Sequence, residues 1–143
     1  IKAIRAYDKK NIILVGTPTW SQDVDIVADN PITGYSNIMY TFHFYAATHK
    51  DYYRTKVQNA INKGLPVCVS EFGISESSGN GSIDKKEANT WIQFLKKNKI
   101  SYVCWDLSNK NESCSLLKSS STRTGNFKTS DLSAAGKWYK SVK

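Results

Sequence analysis

The sequence predicts an α/β fold built as half of a TIM (β/α)8 barrel, with four βα units in series. Three observations predict it. Short runs rich in β-branched residues alternate with segments of helical periodicity, and that alternation implies parallel strands joined by right-handed crossovers. Four such units are half of an eight-fold barrel, whose usual length is about 250 residues against 143 here. The opening residues have helical spacing at Ile1, Ile4 and Tyr7–Asp8 with no N-cap before them, so residues 1–143 are expected to begin in the helix before strand 5 and to supply strands 5–8. A free-standing four-strand parallel sheet with two exposed edges is the alternative.

The elements follow in order. After the helix end at residues 1–10 comes a strand, Asn11-Ile12-Ile13-Leu14-Val15, closed by Gly16 and Pro18. The polar segment Ser21–Asn30 is expected to hold a short helix that turns Val24, Val27 and Ala28 inward. The second strand is Ile38–Phe42, running into Phe44 and Tyr45. Residues 50–63 form a helix with Tyr53, Val57, Ala60 and Ile61 on one face and Gly64 behind it as a terminator. The third strand is Pro66–Val69, followed by a Ser/Gly-rich loop at Ser75–Ser82. Asp84-Lys85-Lys86-Glu87 has the spacing of a capping box, and the helix it opens buries Ala88, Trp91, Ile92 and Leu95 at i, i+3, i+4 and i+7. A fourth strand, Ser101–Trp105, and a polar stretch at 108–130 precede a last helix at about 131–141 that packs Leu132, Ala135 and Tyr139.

Composition narrows the function classes. Aromatic residues make up 12% of the chain, with four Trp and eight Tyr, enough for a dense core or a surface that stacks flat ligands such as sugars. No apolar run approaches the ~18 residues of a membrane span, so a soluble chain without membrane contact is expected. The chain has no signal peptide and does not begin with Met, so it is read as a processed or excised piece. The formal net charge is +8, yet no phosphate loop, zinc-ligand spacing or recognition helix accompanies it, and a solvated lysine surface is expected rather than a nucleic-acid partner. Three cysteines, Cys68, Cys104 and Cys114, fit neither a disulfide framework nor a metal site; Cys68 and Cys104 read as buried thiols facing the helices.

Chemistry gathers at the strand ends. Glu71 stands where the run Pro66-Val67-Cys68-Val69 stops and Gly73 turns the chain. A carboxylate there is poorly explained by folding needs, because charged groups are rarely buried without a partner. Trp20, His43 with Tyr45, Glu71 and Trp105 follow the four strands in turn. In a parallel barrel that rim is where catalysis is placed. His43 and Tyr45, two residues apart, share one face of their strand. Each has a plainer alternative: Trp105 as core filler, His43 as a satisfied core histidine, His49 as part of a helix start, and Trp91 and Trp138 as packing residues.

Four segments carry a resemblance. Gly16-Thr17-Pro18-Thr19-Trp20-Ser21-Gln22-Asp23, Tyr40-Thr41-Phe42-His43-Phe44-Tyr45, Val69-Ser70-Glu71-Phe72-Gly73 and Trp105-Asp106-Leu107-Ser108-Asn109-Lys110-Asn111-Glu112 resemble glycoside hydrolase family 5, in its bacterial endo-β-1,4-glucanase (cellulase) branch. The resemblance implies a secreted enzyme of polysaccharide degradation that cleaves β-1,4-glucan with retention at the anomeric carbon. Glu71 would be the nucleophile, with His43 and Tyr45 beside it and Tyr45 hydrogen-bonded to it. Trp105 would be the sugar platform at the cleavage point and Trp20 a stacking residue on the leaving-group side. Lys110 and Glu112 would hydrogen-bond a more distant glucose, although an exposed pair in a polar loop is also common. No metal or organic cofactor is implied, since two carboxyl groups suffice for this chemistry.

One departure limits the resemblance. The family's acid/base is a Glu in an Asn-Glu-Pro motif at the end of an earlier strand, and this chain has no Asn-Glu-Pro. Glu76, in the Ser/Gly loop, is the nearest substitute. Two readings follow. The chain is the nucleophile-bearing half of an endoglucanase, needing an N-terminal half-barrel as partner; or it is a half-barrel that folds, self-associates as a homodimer and does little or no catalysis. A carbohydrate-binding module fits less well, because such modules are usually β-sandwiches.

Overall fold

The computed structural model describes residues 1–142. Four strands, β1 (Ile13–Val15), β2 (Ile38–Tyr45), β3 (Val67–Gly73) and β4 (Tyr102–Cys104), form one parallel sheet in the order β1-β2-β3-β4. Between and around them run α1 (Lys2–Tyr7), α2 (Pro18–Ser21), α3 (Val24–Val27), α4 (Asp51–Asn62), α5 (Lys85–Lys97) and α6 (Ala134–Val142).

Helix signals in the sequence match the helices formed. Asp84 caps α5 by accepting the Glu87 N–H at 2.9 Å, and α5 buries Ala88, Trp91, Ile92 and Leu95. Glu87 completes no capping box; its carboxylate goes instead to Arg54 of α4. Gly64 follows α4 at φ +84°, the left-handed conformation that ends helices at little cost for glycine. The last helix starts later than expected, at Ala134, because Leu132 is extended and pairs with Leu117 in an isolated antiparallel bridge.

Helices cover one face of the sheet. Phe42, Phe44, Phe72 and Trp91 are fully buried there, each worth roughly 1.5–3 kcal/mol relative to exposure. Trp91 stacks on Phe44 with centroids 4.0 Å apart, and its indole N–H donates to the His49 carbonyl at 2.7 Å. Trp138 is buried too, and its N–H meets Asn89 Oδ1 at 2.8 Å. The opposite face is bare: Leu14 of β1 and Val103 of β4 are 46% and 59% exposed.

The strands run further than their apolar sequences suggested. β2 extends to Tyr45 and β3 to Gly73, so His43, Tyr45 and Glu71 lie within paired strands rather than just past them. A β-bulge explains how a charged residue fits. Phe42 pairs with Val69 but His43 pairs with Glu71, so Ser70 is an extra residue in β3. The bulge also corrects the expected alternation. Cys68, paired with Thr41, stays outside the apolar cluster that takes Val67 and Val69, so it does not face the helices. Cys104 does pack against that cluster.

Candidate active site

At the C-terminal ends of the strands lies a cleft of about 620 Å³ lined by Trp20, Ser21, Gln22, His43, Tyr45, His49, Glu71 and Ser77. Glu71 lines it, half-buried. The Tyr45 hydroxyl donates to Glu71 Oε1 at 2.8 Å, and His43 Nδ1 lies 3.7 Å from Glu71 Oε2. The other ring nitrogen of His43 is 2.8 Å from Ser70 Oγ, so the bulged residue itself fixes the imidazole plane. Burial pushes the His43 pKa below its ordinary value, and the nearby Glu71 charge only partly opposes this. The shift favours the neutral ring. Burial and the Glu71 carboxylate push the Tyr45 phenol well above its usual range, which keeps it a proton donor.

Trp20 is 85% exposed and sits on an unusual backbone. Thr19, Trp20 and Ser21 have φ of 55°, 52° and 61°, a left-handed turn that costs about 1–2 kcal/mol per residue. Such strain persists only where surroundings over-determine it, and it concentrates at functional sites. Here Ser21 Oγ bonds Thr41 Oγ1 at 2.7 Å, Thr17 Oγ1 donates to the Thr41 carbonyl at 3.1 Å, and the Thr19 hydroxyl donates to Asp23. Asp23 is in turn paired with Lys56 of α4.

His49 was expected to belong to a helix start. It does precede α4, but it is buried and lines the cleft. Its Nδ1 accepts the Tyr45 backbone N–H at 2.8 Å, and its Nε2 faces the Gln22 side-chain amide at 3.1 Å. It thus links the strand that holds Tyr45 to the segment that presents Trp20. The only sequence signal for this was a histidine four residues beyond Tyr45.

Trp105 follows β4, 43% exposed, with its backbone N–H donating to the Phe72 carbonyl at 2.7 Å. It is thus one strand beyond Glu71 at the same end of the sheet and is not core filler. Lys110 and Glu112 are exposed in the following loop and line a separate basin. Glu76 does not enter the cleft lining; Ser82 holds its carboxylate through both N–H and hydroxyl, which lowers its pKa. Glu71 is the one carboxylate lining the cleft among the described residues. No group of three or more His, Cys, Asp or Glu among the described residues is placed to hold a metal ion. No helix among them is long and apolar enough to cross a membrane.

Residues 1–111 match the sequence profile of cellulase, glycosyl hydrolase family 5. The chain belongs to this family. It is 50% identical to an endoglucanase of Clostridium saccharobutylicum over 140 residues, covering 98% of the chain and 31% of the relative. Endoglucanase A of Evansella cellulosilytica is 42% identical over 136 residues, covering 95% of the chain and 28% of that protein. Among solved structures, the cellulase Cel5C_n superposes with a TM-score of 0.92 at 43% identity, over 99% of this chain and 43% of that one. A variant of the Thermobifida fusca endoglucanase Cel5A solved in complex with cellotetraose superposes with a TM-score of 0.88 at 34% identity, over 99% of this chain and 48% of that one. The chain spans less than half the length of these relatives. Its open four-stranded sheet is accordingly half of the family's barrel, and it covers part of a family 5 catalytic domain.

Proposed function

We propose that this chain is the nucleophile-bearing half of a retaining endo-β-1,4-glucanase, with β-1,4-glucan as substrate and Glu71 as nucleophile. The observation that carries this reading is the Tyr45–Glu71 hydrogen bond in the wall of a cleft that the exposed indole of Trp20 also lines. The cellotetraose bound to the Thermobifida relative supports a glucan as the ligand class.

In this reading Glu71 attacks the anomeric carbon of a glucosyl unit. The C1–O bond to the leaving chain breaks, and that oxygen takes a proton from a second carboxylic acid. Water then attacks C1, passes its proton to the same second group, and releases Glu71. Tyr45 and His43 aim the attacking oxygen, while Trp20 and Trp105 seat glucose rings on their faces. Lys110 and Glu112 reach hydroxyls further along the chain.

The second carboxyl group is the acid/base Glu of an N-terminal half-barrel. The exposed apolar face carrying Leu14 and Val103 is the surface that such a partner would cover. Because glucan polymers are too large to enter a cell, the same proposal places the protein outside a bacterial cell. Activity in culture supernatant rather than in the cell lysate tests that point.

The direct test joins the chain to the N-terminal half of the Clostridium saccharobutylicum endoglucanase and measures reducing sugar released from carboxymethylcellulose. Activity that disappears in Glu71→Gln supports the proposal; unchanged activity in that variant rejects it. The bare sheet face also favours a second reading, in which two copies cover each other's open faces as a homodimer without hydrolysis. Light scattering and a cellohexaose assay on the isolated chain distinguish the two, because a monomer that cleaves the oligosaccharide contradicts the dimer.

A further inference from the structure

A second concavity, of about 640 Å³, lies beyond the cleft and includes Lys85, Lys110, Asn111, Glu112, Lys118 and Lys137 in its wall. It is on the same end of the sheet as Glu71, because its wall includes the loop that follows Trp105 and the first turns of α5 and α6. Four ammonium groups face one carboxylate there.

What sets these lysines apart is that four of them line one concavity beside a single carboxylate. On and beside α4, by contrast, Lys50, Lys56 and Lys63 are each paired with aspartate: Asp84, Asp23 with Asp25, and Asp29 respectively. Lys85, Lys110, Lys118 and Lys137 have no ion-pair partner among the described residues. One of them is also placed against local helix energetics. Lys85 is the first residue of α5, where the positive end of the helix dipole repels a cation. Four unpaired cations converging on one concavity, one at a disfavoured position, create a positive potential that an anionic ligand would relieve.

We propose that this basin binds anionic substituents, carboxylate or sulfate, carried by a β-glucan chain that extends past Trp105. The inference rests on the glucanase reading of the cleft and adds a charged-substrate preference to it. The placement favours a substituted glucan over an unrelated polyanion. The loop of Lys110, Asn111 and Glu112 follows Trp105 in sequence and lines the basin; its neutral and acidic groups suit sugar hydroxyls, while the surrounding lysines suit the substituents.

Affinity electrophoresis of the chain tests this, with carboxymethylcellulose, neutral hydroxyethylcellulose and polygalacturonate embedded in parallel gels. The proposal predicts stronger retardation by carboxymethylcellulose than by either other polymer. The Lys85→Gln/Lys118→Gln/Lys137→Gln variant should weaken binding of the charged glucan about tenfold, as should about 0.5 M salt, with no change toward the neutral one. A control variant, Lys2→Gln/Lys9→Gln/Lys97→Gln, removes equal charge from exposed sites elsewhere. Equal retardation by both glucans, equal retardation by polygalacturonate, or an equal loss in the control variant would overturn the inference. Failure to bind hydroxyethylcellulose counts against the cleft as a glucan site, while the comparison of carboxymethylcellulose with polygalacturonate still decides the basin.

Discussion

The Tyr45 hydroxyl donates to Glu71 Oε1 across 2.8 Å, joining adjacent parallel strands at the point where β3 carries its bulge. One proton donor is thereby fixed on one oxygen of the carboxylate, and the second oxygen is turned toward His43. In a barrel completed by its N-terminal half, Tyr45→Phe is expected to lower kcat about 10- to 100-fold with little change in KM, because the donor orients the reacting oxygen rather than binding glucose. Steady-state kinetics on cellopentaose check this; a rise in KM alone would assign Tyr45 to binding.

The same phenol makes a pH prediction. Its folded pKa is raised by burial and by Glu71, so the stability it contributes is intact below the ordinary tyrosine pKa of ~10 and declines as pH rises above it. Thermal melts between neutral pH and pH 11 should show an alkaline loss that is shallower in Tyr45→Phe than in the parent chain.

The two histidines, the only ones in the chain, predict behaviour at the acid end. Burial lowers the pKa of both His43 and His49. The unfolded chain therefore binds more protons in the window below ~6.5, and stability falls as pH drops through it. NMR titration of the two imidazoles should give midpoints below that of a histidine in a free peptide. A midpoint at or above it for His43 would mean that the Glu71 charge outweighs burial.

The sequence was most informative where local chemistry agrees with tertiary packing. Asp84 capping α5 and the buried positions Ala88, Trp91, Ile92 and Leu95 were legible because cap and periodicity point to the same helix. His43, Tyr45 and Glu71 were legible as a group, since strand ends in a parallel sheet converge. The bulge at Ser70 was not, because it depends on pairing with β2 and no glycine marks it; its absence from the reading is why Cys68 was assigned to the wrong face. Nor could sequence reveal the left-handed turn at Thr19–Ser21, where bonds to Thr41 and Asp23 override backbone preference. His49 was missed for a similar reason: its partners, Tyr45 and Gln22, come from two other segments.

Packing of α6 gives a stability prediction. A Cβ on Gly136 would fall 2.0 Å from the Leu116 carbonyl oxygen, whereas one on Gly125 would meet nothing within 4 Å. Gly136→Ala should therefore cost about 3 kcal/mol, while Gly125→Ala should be close to neutral. Urea denaturation of both variants measures the difference, and equal midpoints would contradict the close approach of α6 to the backbone at Leu116.

The central claim is that Glu71 forms the bond to sugar. It is tested by incubating the completed barrel with a 2-deoxy-2-fluoro cellobioside carrying a good leaving group, then digesting the protein and measuring peptide masses. One fluorocellobiosyl unit on the peptide containing Glu71, absent from Glu71→Gln, is the predicted result. A label on any other carboxylate, or turnover of glucan by Glu71→Gln at the parent's rate, would contradict it.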